Sequence, residues 1–305
     1  MREFLLSNEL IVRLSAFVAM FTAMAVWEIF APRRMQTIGR IVRWPGNLGV
    51  VLVDAALVRI LFPTTAVGLA LVAETKGFGL FNAWPITSWV AILVCVALLD
   101  LAIYLQHVLF HAVPVLWRLH RMHHADLEFD LTTGARFHPI EILLSMLIKL
   151  AVIGALGAPA VAVLIFEVLL NVTAMFNHSN VSLPAPVDHV LRWLVVTPDM
   201  HRVHHSVVVR EANSNFGFNL PWWDRLFGTY RAQPEAGQVG MTIGVKEIRD
   251  PGEQRLDRML TQPFREVDSA YALGRREGAE RDDENLSGGS EARTQHSDLS
   301  MRNQK

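Results

Sequence analysis

Hydrophobic positions along this chain gather into long runs instead of alternating with polar ones. Leu10 to Ala31 is one run, with Arg13 and Glu28 near its ends. Leu48 to Ala73 is a second, interrupted by Asp54 and Arg59. Ile86 to about Leu109 is a third. A helix of about 20 apolar residues crosses a bilayer core, and each run is long enough to do so. Ile140 to Phe176 is longer still, and Gly154-Ala155-Leu156-Gly157-Ala158-Pro159 divides it. Gly and Pro together mark a turn, so this segment is expected to form a hairpin of two shorter helices. Several such runs in one chain argue against a soluble core. The pattern predicts an all-α integral membrane protein with about four membrane-embedded helices (two spans or more plus the short hairpin).

The polar segments between the runs set an orientation. "APRRMQTIGRIVRWP" carries Arg33, Arg34, Arg40 and Arg43, whereas "ETKGFGLFNAWP" has one Lys and one Glu. Lys and Arg concentrate in cytoplasmic loops, so the first segment is expected on that side. The third run then brings the chain back to the cytoplasmic face near His107, and the hairpin leaves and returns there. In a bacterium this is the inner membrane. Trp27, Trp44, Trp84 and Trp89 stand at run ends, where an interfacial belt is expected. The first run reads as a retained anchor rather than a cleavable signal.

Beyond about Ala272 the chain is charged, rich in Ser and Gly, and almost free of aliphatic residues. Disorder is expected there, and His296 within it is given no role. Just before it, Leu256, Met259 and Leu260 fall at helical spacing and predict a short amphipathic helix on the protein or membrane surface. The expected division is 1–94 for N-terminal membrane helices and 95–235 for a histidine-rich domain that includes the hairpin 140–176. An amphipathic surface segment at 236–272 and a tail at 273–305 follow.

Composition narrows the chemistry. The chain is 51% hydrophobic, with a formal net charge of −1. A balance near zero implies no broad basic surface for nucleic acid. Cys95 is the only cysteine and lies in an apolar run. One cysteine excludes an intrachain disulfide, a CxxC pair and a thiolate zinc site, and Cys95 reads as a small buried hydrophobe.

Histidine carries the functional signal. Of twelve histidines, eleven fall between 107 and 205. "HRMHH" at 120–124 and "HRVHH" at 201–205 repeat one spacing, and "HVLFH" at 107–111 places two more at i and i+4. In a helix, positions i, i+3 and i+4 share a face. His120, His123 and His124 can therefore aim at one point, and so can His201, His204 and His205. With His107 and His111 these make eight imidazoles. A mononuclear zinc site takes three or four ligands, so eight suggest two metal ions. "TPDMHRVHH" reads as Thr197 at the N-cap and Pro198 at N1, and Pro114 similarly suggests a fresh helix before His120. His138 in "HPIE" and His178 in "FNHSN" stand where the hairpin meets this region. His189 in "VDHVLRW" lacks such a context and reads as an ordinary surface or core residue. Asp100 shares a helical face with Tyr104 and His107 and is a candidate to orient a histidine from behind.

Other readings of these histidines fit less well. A zinc protease of the HExxH type needs Glu after the first histidine, and here Val108 holds that place. Haem takes one axial His from each of two facing helices, not triplets. A metal transporter needs ionisable residues along a path through the spans, and these histidines cluster at one end. Imidazole ligation alone suits Fe, Zn, Cu or Ni.

In the order HxxxH, HxxHH, His-Asn, HxxHH, the chain resembles the fatty acid hydroxylase superfamily of sterol desaturases and sphingolipid hydroxylases. "RFHPIE" is similar to that family's link into the second hairpin, and "TPDMHRVHHS…NSNFGFNLPWWDRLFGTY" to its C-terminal signature. The likeness is greatest to the bacterial sterol desaturase-like branch and is strongest over residues 95–230. It implies a non-haem site of two iron ions, with zinc as a substitute, that activates O₂ to hydroxylate, desaturate or cleave a lipid drawn from the bilayer. The implied ligands are His107, His111, His120, His123, His124, His178, His201, His204 and His205. The sphingolipid hydroxylase type has another histidine where this chain has Ala174, and His138 is the expected substitute. Asn213, Asn215, Trp223 and Asp224 match the signature and are expected to shape the site, with Asp100 and Asn177 as further candidates. No "HPGG" haem motif, cysteine cluster or dinucleotide loop is present. Electrons are therefore expected from a separate ferredoxin or cytochrome b5-like protein with its reductase.

Overall fold

The structure is a computed structural model that describes residues 2–84, 87–266 and 271. The expected tail 273–305, with His296, lies outside these residues. Among the described residues there are helices, turns and three isolated β-bridges, with no strand. The helices are α1 (Arg2–Ser7), α2 (Glu9–Phe30), α3 (Arg40–Leu61), α4 (Ala66–Lys76), α5 (Leu80–Ala83), α6 (Ser88–Ala112), α7 (Pro114–His124), α8 (Pro139–Leu156), α9 (Ala160–Asn177), α10 (Ala185–Leu191), α11 (Pro198–His204), α12 (Val209–Ala212), α13 (Trp222–Leu226), α14 (Gly237–Gly240) and α15 (Leu256–Thr261). Five stretches are long and apolar enough to cross a membrane: α2, the stretch Arg40–Ala83 that opens with α3, then α6, α8 and α9. The chain is an all-α, multi-pass membrane protein.

The second apolar run differs from its expected single span. α3 ends at Leu61 because Pro63 lacks an N–H and drives the residue before it out of the helical region. Phe62 is accordingly extended, with φ −105° and ψ 118°. Thr65 then restarts a helix, its hydroxyl accepting the Gly68 N–H. With 11 residues, α4 is about 16 Å long and cannot cross a bilayer core. It is buried instead against α8 and α9 through Ala66, Val67, Ala70 and Ala73. The α8–α9 turn closes at Gly157 with φ 59°, and a Cβ on Gly79 would lie 2.2 Å from the Gly157 nitrogen. Only glycine permits that approach.

Three charges inside the apolar layer are tied together. Arg13 of α2 and Lys149 of α8 both reach Glu167 of α9, at 2.9 and 2.5 Å. Unpaired, each would be expensive in a bilayer. Arg43 also differs from its expected place as a loop cation. It lies inside α3, fully buried, with Nε and Nη2 on one edge of its guanidinium donating to the two Asp126 oxygens (2.6 and 2.8 Å) and Nη1 donating to Asp130 at 2.6 Å. Trp44 belongs to the same tie and donates its indole N–H to Asp130 rather than marking a lipid interface. Arg43 holds the Asp126 carboxyl well below the usual carboxylate range. This network anchors the connection between α7 and α8 to α3.

Of the segment after 236, the described helix α15 docks on the protein. Met259 of α15 is buried against Val50 of α3 and Met122 of α7. Gly46 of α3 admits this contact, since a Cβ there would lie 2.1 Å from the Gln254 carbonyl oxygen.

Candidate metal site

Nine histidines converge at one end of the helices, in two groups. The first comprises His107 and His111 of α6, His120 and His124 of α7, and His204 of α11. The second comprises His123 of α7, His178 at the end of α9, His201 of α11 and His205 just after it. All nine are buried, and within each group the candidate ligand nitrogens lie within 4.8 Å of one another. Each HxxHH triplet is therefore divided between two points instead of aiming at one. Helix geometry explains the division. At about 100° per residue, positions i and i+4 stand about 40° apart, while i+3 lies about 60° to the other side of i. α7 gives its i and i+4 rings to the first group and its i+3 ring to the second. α11 does the reverse.

Local sequence places these helices. Pro114 stands at N1 of α7, and Pro198 at N1 of α11, where a missing N–H costs nothing. The Thr197 hydroxyl caps α11 by accepting from Met200 N–H at 3.4 Å. His178 ends α9 in a helical conformation, φ −91° and ψ −4°.

Outer partners orient four of the five rings of the first group. His107 Nδ1 faces the Phe216 carbonyl oxygen at 2.8 Å, and His204 Nδ1 faces that of Ser214 at 2.8 Å. A carbonyl only accepts, so both Nδ1 atoms carry the proton and both Nε2 atoms present lone pairs. Those Nε2 atoms are 2.9 Å apart. Two lone pairs at that distance repel unless a cation lies between them. His111 Nδ1 is held by Asn213 Oδ1 at 3.1 Å, and His120 Nδ1 by Glu141 at 2.7 Å. In the second group His178 donates to the Ala174 carbonyl at 2.8 Å. The Nδ1 atoms of His123, His201 and His205 are buried without a partner, and so is His205 Nε2.

The site is buried, which favours neutral rings. Burial pushes His120 and His178 down to about 3. Burial, with neighbouring imidazoles adding to it, holds His123, His124, His201, His204 and His205 well below the usual range. Phe137 stacks on His123 at 4.4 Å, Phe129 on His178 at 5.6 Å, and Trp117 covers His111 at 4.8 Å. Neutral imidazole is the form that binds a metal ion. Two imidazoles on one ion, each bond about 2.1 Å, have nitrogens about 3 Å apart when their bonds are near perpendicular. The Nε2 separations here are 2.9 to 3.2 Å. The residues fit a metal in both groups.

Other candidates fall elsewhere. His138 lies outside both groups and does not stand in for the ring absent at Ala174. It caps α8, with Nδ1 accepting from Ile140 N–H and Nε2 facing the Leu260 carbonyl, each at 3.2 Å, so neither nitrogen is free. His189 is exposed on α10. Asp100 touches no histidine; it accepts from the backbone N–H groups of Asn219 and Leu220 and from the Trp223 indole. Asp224 accepts from Phe216 and Gly217 N–H at 2.7 and 2.8 Å, so both carboxylates fix the loop whose carbonyl orients His107. Asn177 donates to Phe218 in the same loop. Asn215, left-handed at φ 52°, binds Met200 of α11 and Arg231 through its side chain. Glu141 received no role from the sequence, although it is the carboxylate that meets a histidine.

A multi-pass helical membrane protein with paired histidine groups suited to metal is the class that this geometry defines. Residues 92–229 match the family described as Fatty acid hydroxylase. Over those residues the chain resembles that superfamily. It is 29% identical over 64% of its length to ornithine lipid hydroxylase of Rhizobium tropici, covering 56% of that protein. It is 30% identical over 52% of its length to alkylglycerol monooxygenase of Xenopus tropicalis, covering 33% of it. It is 28% identical over 53% of its length to cholesterol 25-hydroxylase of Rattus norvegicus, covering 53% of it. The matched region thus spans between a third and just over half of these relatives. No solved structure gives a significant match.

Proposed function

We propose that the chain is a membrane-bound non-haem di-iron oxidoreductase that hydroxylates or desaturates a lipid, with O₂ and electrons from a separate donor. The observation that carries this reading is the pair of buried groups of neutral imidazoles whose Nε2 lone pairs face one another at one end of membrane helices. The names of the relatives, all lipid hydroxylases or monooxygenases, support the same reaction class. His107, His111, His120, His124 and His204 would hold one iron. His123, His178, His201 and His205 would hold the other. Bound iron supplies the activation of O₂ and the removal of hydrogen from an unactivated C–H bond.

The chain's own residues then have definable tasks. Phe216, Asn213, Glu141 and Ser214 hold four rings of the first group in the tautomer that offers Nε2. Phe129, Phe137 and Trp117 keep water from the rings, which protects a reactive centre from side reactions. The apolar helices allow a lipid chain to approach without leaving the bilayer. The donor, a ferredoxin or cytochrome b5-like protein with its reductase, meets the chain at the cytoplasmic face of a bacterial inner membrane.

Metal analysis of purified protein, with lipid mass spectrometry after reduction and exposure to O₂, tests the reading. Two irons per chain and a lipid product that gains one oxygen or loses two hydrogens are expected, with the product and about half the metal lost in His204→Ala. Stoichiometric zinc after anaerobic iron loading, with no O₂ consumed, would sink it.

A further inference from the structure

Beside the first histidine group is a cavity of about 520 Å³ between α6 and the chain from Arg210 to Arg231. Its depth in the membrane follows from α6. Tyr104 lies 16 residues beyond Ser88, roughly 24 Å along the helix axis, and Val108 roughly 30 Å. A bilayer core is about 30 Å thick, so this part of α6 straddles the edge of the hydrocarbon. Phe227 stacks on Tyr104 at 5.4 Å and 18°, and Thr229 is bonded to the Tyr104 hydroxyl at 2.9 Å. The 210–231 chain is thereby held at the same depth.

The surface around the cavity suits that position. Trp193, Leu194, Trp222, Leu226 and Phe227 are 49% to 69% exposed, although none belongs to a membrane-crossing helix. Arg225 is sandwiched between Trp193 and Tyr230, 3.7 and 4.1 Å from their rings. Exposed Trp beside Arg is the composition of a headgroup layer. The cavity repeats this polarity inside. Leu105, Val108 and Phe227 line it together with Arg210 and Arg231. Arg210 is paired with Glu235 at the surface, while the Arg231 guanidinium makes no ion pair among the described residues.

We infer that this cavity holds the headgroup of an anionic lipid, with the two guanidiniums on its phosphate or carboxylate and its chain along Leu105 and Val108. Arg forks match such oxyanions, and each basic group near a membrane surface adds substantially to anionic-lipid affinity. The cavity wall includes Asn213, Ser214 and Phe216, the partners of His111, His204 and His107. A bound headgroup therefore presses on the residues that orient the first histidine group. The inference stands on the position of α6 and not on the proposed iron chemistry.

The test uses the full chain in a neutral detergent, titrated with phosphatidylglycerol, with phosphatidylcholine of the same acyl chains, and with inorganic phosphate alone. Native mass spectrometry reads the adducts, and metal content is read on the same samples. One saturable phosphatidylglycerol per chain is expected, with phosphatidylcholine bound at least tenfold more weakly. The double substitution Arg210→Gln with Arg231→Gln should weaken phosphatidylglycerol at least tenfold. Val108→Trp, which fills the cavity without altering charge, should do the same while metal content stays at the wild-type level. Wild-type affinity in both variants, or equal binding of the two lipids, overturns the inference. So does displacement of the lipid by inorganic phosphate at matching concentration, which would make this a site for soluble anions.

Discussion

The two histidine groups share α7 and α11 and are finished differently. In the first, five rings converge, and Phe216, Asn213, Glu141 and Ser214 each hold an Nδ1 from outside. In the second there are four rings; only His178 has such a partner, and the Nδ1 atoms of His123, His201 and His205 have none. Ring orientation fixed by hydrogen bonds is worth about 10- to 100-fold in metal affinity. The first group is therefore pre-organised for an ion, and the second is the one that an ion would have to order. Single substitutions on α11 probe the difference most strongly, because His201 and His204 are three residues apart and serve opposite groups. His204→Ala is expected to empty the first group and His201→Ala the second, each removing about half the bound metal and nearly all activity. Elemental analysis with metal-edge absorption spectra checks it. Loss of all metal in both variants would show that neither group stands alone.

The next largest effect is expected at Arg43, which acts on the second group through the fold. Asp126 and Asp130 lie in the connection that carries Phe129 and Phe137 onto His178 and His123. Arg43→Met leaves two buried carboxylates without their cation, a loss of about 3–5 kcal/mol. Melting in detergent should fall markedly, and the metal retained at partial occupancy should sit in the first group. An unchanged melting temperature would mean that the pair contributes nothing net.

Asn213→Ala works on the opposite group and more gently. His111 loses its side-chain partner while the histidine itself remains. Chelator competition should show metal in the first group held about 10- to 100-fold more weakly. The second group should be unaffected, and a matching loss from both would contradict the separation.

Much of this was readable from residues alone, and the gaps have physical causes. The 3.6-residue period is local, so HxxHH and HxxxH pointed to the rings that the structure brings together. The division of each triplet depends on where α6 and α9 lie on either side of α7 and α11, and no local pattern encodes that. His138 misled because "HPIE" stands beside the site in sequence, while a histidine just before a helix-starting Pro serves as a cap. Glu141 escaped notice because an acid in a first helical turn is ordinary dipole chemistry. Arg43 looked like a topology signal because a cation between two apolar runs has that meaning unless two aspartates more than 80 positions away reach it. The break at Pro63 was legible and outweighed by the hydrophobicity around it.

The smallest effect expected is a gain, and it tests why the second group is short of a ring. α6 offers His107 and His111, at i and i+4, to the first group. α9 offers Ala174 and His178, at the same spacing, to the second. By that spacing Ala174 corresponds to His107, as His178 does to His111, and it is 7% exposed. Ala174→His places an imidazole one turn before His178 on the same face. Without metal, the larger side chain is expected to destabilise the protein by about 1–3 kcal/mol through overpacking. With metal, that loss should be offset, and the second group should release its ion to a chelator several-fold more slowly. The signature is thus a difference in melting temperature between metal-loaded and metal-free variant that exceeds the wild-type difference. Equal differences would mean that position 174 does not face the second group, and the parallel between α6 and α9 would then be one of spacing only.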